Sequence, residues 1–115
     1  MSDIDKLTKQ ILKFRNARDW QDFHFPKDMA ISLALEASEV LEHFQWRTKE
    51  EIEVYLKTHK SHIGDELSDV LWWVLLMSYD LKIDVVKAFA RKLKENEKKY
   101  PVEKARGTHK KYTEL

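Results

Sequence analysis

Four carboxylates stand out by their spacing. Glu36 and Glu39 lie three residues apart, as do Glu66 and Asp69. On a helix, residues at i and i+3 share a face, so each pair is disposed to chelate. On a helical wheel Glu36 falls at the edge of the apolar arc of Met29, Leu33, Val40 and Phe44, and Glu66 and Asp69 are expected closer to the core still. Buried carboxylates without partners cost several kcal/mol each and normally protonate, so four that converge call for cations. With no cysteine in the chain, the donors are hard oxygens, which suit Mg²⁺ with Mn²⁺ as a substitute. Carboxylates, such a metal and water are the means of phosphate-ester hydrolysis. Against this, Glu-x-x-Glu and Glu-x-x-Asp are common on solvated helices; it is the apolar flanks of both pairs that set these apart. Glu42, Glu50, Glu51 and Glu53 sit in polar surroundings and read as wet surface, and Asp65 as surface or as support to the motif.

The elements that must position these groups are helices. The chain has 115 residues, two Gly and two Pro, with 43% apolar and 36% charged residues. That length fits one domain, and little interrupts helix formation. The first amphipathic helix is predicted over about 3–18, on Ile4, Leu7, Ile11, Leu12 and Phe14. Pro26 is suited to the first position of a second helix running to about Trp46. Thr48 with Glu51 forms a capping-box pattern that opens a short helix to Thr58. Ser61 is read as capping a further helix to about Leu81, and Asp84 as capping the last long one, which stops before Pro101. Residues 101–115 read as a basic tail containing Gly107. Short connections predict an all-α, antiparallel four-helix-bundle-type domain with one extra short helix. The nearly all-round apolar run Val70 to Met77 argues for a homo-oligomer.

Net charge is +1, but residues 82–115 carry 11 Lys and Arg against 5 Asp and Glu, whereas the rest of the chain carries 10 against 15. An acidic centre beside a basic C-terminal part can share a polyphosphate, the cations on one side and the bases on the other. The absence of cysteine removes disulfides and thiolate chemistry and accords with a reducing compartment. The run Val70 to Met77 is too short to span a bilayer, and Met1-Ser2-Asp3-Ile4-Asp5 lacks the layout of a signal peptide. A cytoplasmic protein with no membrane partner is expected. A di-iron bundle would use Glu-x-x-His motifs, and none of His24, His43, His59, His62 and His109 has a Glu three residues before it. A non-catalytic binding module with a basic tail is the alternative from another class. A duplex-binding face would need uninterrupted Lys and Arg, and Glu95, Glu97 and Glu103 interrupt this one, so nucleic acid is not the expected partner.

With E36-A-S-E39 and E66-L-S-D69, the chain resembles the MazG-like, all-α nucleoside triphosphate pyrophosphohydrolases. More narrowly it is similar to their dCTP pyrophosphatase subgroup, through R18-D-W-Q-D-F-H24-F-P26, F44-Q-W46, the stretch Lys92 to Tyr100-Pro101, and R106-G-T-H-K-K-Y-T-E-L115. The likeness covers nearly the whole chain. It implies hydrolysis of a nucleoside triphosphate to the monophosphate and pyrophosphate, a house-cleaning role in the nucleotide pool, and a homo-oligomer, more often a tetramer than a dimer. Metal ions held by Glu36, Glu39, Glu66 and Asp69 would bridge phosphate oxygens and direct a water at the α-phosphorus, with Glu39 the best placed to orient that water. Lys92 and Asn96, four apart, and Arg106 and Lys111 in the tail would neutralise phosphate and contact the sugar. Trp20, Trp46 and Trp73 are candidates to enclose the base, although Trp in a small helical protein is often core. Trp72 is read as packing between helices or subunits, and His24 as pocket wall or structural hydrogen bonder. Two positions depart from the subgroup: Ile11 stands where the animal enzymes carry a base-contacting His, and Trp73 where a Tyr is usual. Cytosine preference is therefore open, with dCTP or a modified dCTP as the candidate substrate.

Overall fold

The computed structural model describes residues 1–115, with five α-helices, two 3₁₀ turns and no strand. Each long helix begins on a local signal. Ser2 and Asp5 form a reciprocal capping box that opens α1, Asp3–Asn16. Pro26 opens α2, Pro26–Glu42. Thr48 and Glu51 open α3, Lys49–Asp80, with Glu51 N donating to Thr48 Oγ1 at 3.2 Å and Thr48 N to Glu51 Oε1 at 3.1 Å. Asp84 caps α4, Val85–Lys99, accepting from Lys87 N at 3.0 Å. These caps satisfy amide groups that the first helical turn leaves free.

The predicted short helix at 48–58 and the helix from Ser61 are one element of 32 residues. Thr58, His59 and Ser61 are only mildly poor helix formers, costing a few tenths of a kcal/mol each. The stretch contains no proline, and His59 stacks on Tyr55 one turn earlier. Local polarity therefore does not break the backbone. α1 and α2 end somewhat earlier than expected, and residues 43–46 form a turn rather than the last turn of α2. In that turn Trp46 takes φ 69°, a left-handed conformation that costs an L-residue roughly 1–2 kcal/mol.

Two compact units divide the chain, Met1–Lys82 and Ile83–Leu115. In the first, α2 and α3 run antiparallel: His43 meets Tyr55, and His24, just before α2, meets Trp73. α1 lies along the C-terminal half of α3, with Phe14 edge-on to Trp72 and Arg15 bidentate to Asp80 at 2.7 and 3.0 Å. Ile11, Met29, Leu75 and Leu76 are the buried core between these helices. Ile11 is thus a packing residue here, and the apolar run in α3 is only partly covered. In the second unit the tail is more ordered than expected. It forms the short helix α5, Val102–Ala105, and a 3₁₀ turn at Tyr112–Glu114. Gly107 has φ 77°, where a side chain would strain the backbone. Tyr112 packs edge-on against Tyr100 with centroids 5.9 Å apart, and Lys99 Nζ lies 4.9 Å from the Tyr112 ring centroid.

Gly64 lies inside α3 with no atom within 4 Å of a Cβ built on it. Gly64→Ala should therefore stabilise the protein by about 0.5–1 kcal/mol through helix propensity, read as a higher urea midpoint at unchanged slope. Unchanged or lowered stability would contradict an uninterrupted helix there.

Candidate active site

Antiparallel packing sets Glu36 and Glu39 of α2 against Asp69 of α3. One carboxylate oxygen from each lies within 4.8 Å of the other two. Glu36 Oε2 is buried and has no hydrogen-bond partner. Its carboxyl is held above the usual carboxylate range, first by burial, then by the Glu39 carboxyl within hydrogen-bonding reach, then by the charges of Glu39, Asp69 and Glu66. Glu36 and Glu66 are half-buried and Glu39 and Asp69 exposed, so the α3 pair sits no deeper than the α2 pair, contrary to expectation. In this unit α3 is covered by α1 and α2 only on part of its surface, and Asp69 looks out of the seam. Glu66 is the member the structure sets apart. Its Oε2 is in contact with His43 Nε2, and it bears on Glu36 by charge.

Beside the carboxylates opens a cleft of about 390 Å³ lined by Phe14, Trp20, His24, Glu36, Asp69, Trp72 and Trp73. The 3₁₀ turn Gln21–Phe23 brings Trp20 and His24 to it. Phe14 stands edge-on to both Trp20 and Trp72, at 5.8 and 5.2 Å between centroids, and His24 edge-on to Trp73 at 5.2 Å. His24 Nδ1 is buried without a partner. Burial, followed by the Arg15 charge, lowers the His24 pKa, so at neutral pH the ring is uncharged and offers one donor and one acceptor.

Of the residues singled out in the sequence, Glu36, Glu39, Asp69, Trp20, His24 and Trp73 are therefore gathered in one place. Trp46 is not among them: it stands on the α2–α3 turn, 91% exposed. Lys92, Asn96, Arg106 and Lys111 belong to the second unit. Lys92 and Asn96 are one turn apart on α4, and Lys92 Nζ lies 3.5 Å from Glu95. Arg106 ends α5, and Lys111 precedes the last 3₁₀ turn. Three residues were missed. Phe14 and Trp72 wall the cleft as well as packing helices, and His43 touches Glu66. His43 follows Glu39 by four residues, a spacing that marks the same side of α2.

The donor set fits a hard divalent cation. Three carboxylates bring oxygens within 4.8 Å of one another, and one buried oxygen has nothing else to bind. Fold and site together define an all-α protein with a helix-borne carboxylate centre opening into an aromatic cleft. The chain belongs to the MazG-like family, whose model matches residues 31–115. It is 32% identical over 117 residues to dCTP pyrophosphatase 1 of Bos taurus and of Homo sapiens, covering 100% of this chain and 68% and 67% of those proteins. The crystal structure of a pyrophosphatase from Archaeoglobus fulgidus superposes with a TM-score of 0.82 at 34% identity, covering 88% of this chain and 94% of that one. The expectation of a nucleoside triphosphate pyrophosphohydrolase is borne out by these likenesses.

Crowded carboxylates repel one another, so the site is held at a cost in stability. With EDTA present, Glu36→Gln should melt a few degrees higher than the unmutated protein. With excess Mn²⁺, the unmutated protein should gain stability and the variant little or none. Equal metal-induced shifts would remove Glu36 from the ligand set.

Proposed function

We propose that the protein hydrolyses a deoxynucleoside triphosphate, dCTP or a modified dCTP, to the monophosphate and pyrophosphate in a Mg²⁺-dependent reaction that clears the cytoplasmic nucleotide pool. One observation carries this reading: Glu36 and Asp69 belong at once to the carboxylate trio and to the wall of the aromatic cleft. A ligand seated there has its anionic end at the carboxylates and its flat end among Trp20, Trp72 and Trp73. A nucleotide has that chemistry, and the cleft is of ligand-binding size. Support for the base comes from the names of the relatives, dCTP pyrophosphatase 1.

The roles follow from position. Glu36, Glu39 and Asp69 hold the cation, with Glu66 as the fourth carboxylate. A divalent cation there supplies the positive charge that lets a triphosphate approach four acids and that stabilises charge developing on its oxygens. Glu39, more exposed than Glu36, orients the attacking water. Trp20 and Trp73 stack on the base, and the neutral His24 ring hydrogen-bonds its edge. Lys92, Asn96, Arg106 and Lys111 keep the phosphate- and sugar-binding roles that the family resemblance implies. A homo-oligomer, a tetramer in preference to a dimer, accords with Trp46, Phe23, Phe25, Leu35 and Leu41 all being exposed on the first unit. It gives Trp46 a place at a neighbouring subunit's substrate. No helix is long and apolar enough to cross a membrane.

A panel of ordinary and modified nucleoside triphosphates with Mg²⁺, scored by chromatography for monophosphate and pyrophosphate, should show turnover with a cytosine nucleotide preferred. Turnover of none contradicts the proposal. Glu39→Gln and Asp69→Asn should each abolish turnover while helicity stays intact. Trp73→Ala should raise KM roughly 5- to 100-fold, the range expected for one lost stacking partner, and an unchanged KM would return Trp73 to packing alone.

A further inference from the structure

Next to the carboxylate trio lies a side-chain chain that the roles above do not use. The Tyr55 ring is clamped on α3. His59 stacks on it at 3.9 Å and 6° between planes, and the Arg47 guanidinium carbon lies 4.0 Å from its centroid. Its hydroxyl hydrogen-bonds His43 Nδ1, and on the other side of the imidazole Nε2 touches Glu66 Oε2. Both of these last atoms are buried, and no aligned hydrogen bond satisfies either of them. They have only each other, and a small rotation of ring or carboxylate aligns the pair. Leaving both unmade would cost about 1–3 kcal/mol for each group.

The direction of the hydrogen bonds follows from the inventory of donors. A phenol hydroxyl donating to Nδ1 places the proton of a neutral imidazole on Nε2, which then donates to the carboxylate. Glu66 Oε2 is thereby committed to His43, and Oε1 is the oxygen free to face Glu36, Glu39 and Asp69. Ligand carboxylates in metal sites are commonly held by such an outer partner.

We propose that Tyr55 and His43 form a positioning relay for Glu66. Tyr55 fixes the tautomer and plane of His43, and His43 fixes which oxygen of Glu66 meets the cation. This rests on the metal-dependent reading above. His43 touches neither cation nor substrate; it acts through Glu66. The relay also accounts for Glu66 standing at the margin of the trio: its position is set from the α2–α3 turn.

Two replacements separate positioning from packing. In His43→Gln the amide nitrogen falls near the place of Nε2 and can still donate to Glu66. In His43→Asn the amide reaches only to the level of Nδ1 and cannot. Mn²⁺ affinity is measured by the EPR signal of the free ion, alongside kcat and KM for the nucleotide turned over by the unmutated protein. His43→Asn and Tyr55→Phe should weaken Mn²⁺ binding about tenfold and lower kcat more than they raise KM, whereas His43→Gln should stay within about threefold of the unmutated protein, the outer-partner effect being typically 10- to 100-fold. Equal Mn²⁺ affinity in His43→Asn and the unmutated protein overturns the relay, as does equal impairment of the Asn and Gln variants, which is what a packing role produces. If His43→Asn does not fold by circular dichroism, Tyr55→Phe, which removes one hydroxyl, decides alone by the same affinity. An unmutated protein that binds no Mn²⁺ overturns the metal-dependent reading itself and the relay with it, an outcome distinct from tight binding that ignores His43.

Discussion

The structure turns on the repulsion between carboxylates that two antiparallel helices force together. Glu36, Glu39 and Asp69 bring oxygens within 4.8 Å of one another, at the edge of a protein where the effective dielectric is well below that of water. No Lys or Arg is paired with them: the ion pairs of the chain are Arg15–Asp80, His43–Glu66, Arg91–Glu95 and Lys92–Glu95. The arrangement persists because α2, opened by Pro26, and α3, opened by the Thr48–Glu51 box, pack against each other, and their rigidity holds the acids where solution chemistry would part them. A cation relieves this repulsion and, in doing so, makes a seat for a polyphosphate.

The rest of the first unit serves that seam. Arg15, only 6% exposed, ties α1 to the end of α3 through Asp80. The same helix carries Phe14 to the cleft. The 3₁₀ turn before α2 delivers Trp20 and His24, so residues from α1, the connection, α2 and α3 all meet within one cleft. The longest element does two jobs at once. The unbroken α3 carries Glu66, Asp69 and Trp73 to the site and, a few turns earlier, Tyr55, so the clamp on Tyr55 and the carboxylate centre share one rod.

Much of this was legible in the sequence because the signals are local. The capping pairs Thr48–Glu51 and Asp84–Lys87, Pro26 at a helix start, and the i,i+3 carboxylates each declare themselves within one helical turn. What was not legible depends on contacts across the chain. The supposed break near Thr58 vanished because weak propensities yield to packing and to the Tyr55–His59 stack. The tail gained order from Tyr112 meeting Tyr100, a contact no periodicity announces. The apolar pattern of α2 predicts helix to about Trp46, yet Trp46 occupies a left-handed turn that favours glycine or asparagine. His43 lacks the Glu-x-x-His spacing that marks a ligand in the sequence. It lies four after Glu39, just past the end of α2, and its partner Glu66 is on another helix.

The account stands most directly on whether the carboxylate centre and the aromatic cleft are one site for one ligand. A crystal grown with Mn²⁺ and a non-hydrolysable deoxycytidine triphosphate analogue tests this, with anomalous scattering locating the metal. The account predicts metal density between Glu36, Glu39 and Asp69, the triphosphate against it, and the base among Trp20, His24 and Trp73. Metal density elsewhere, or a nucleotide bound away from these residues, would contradict it.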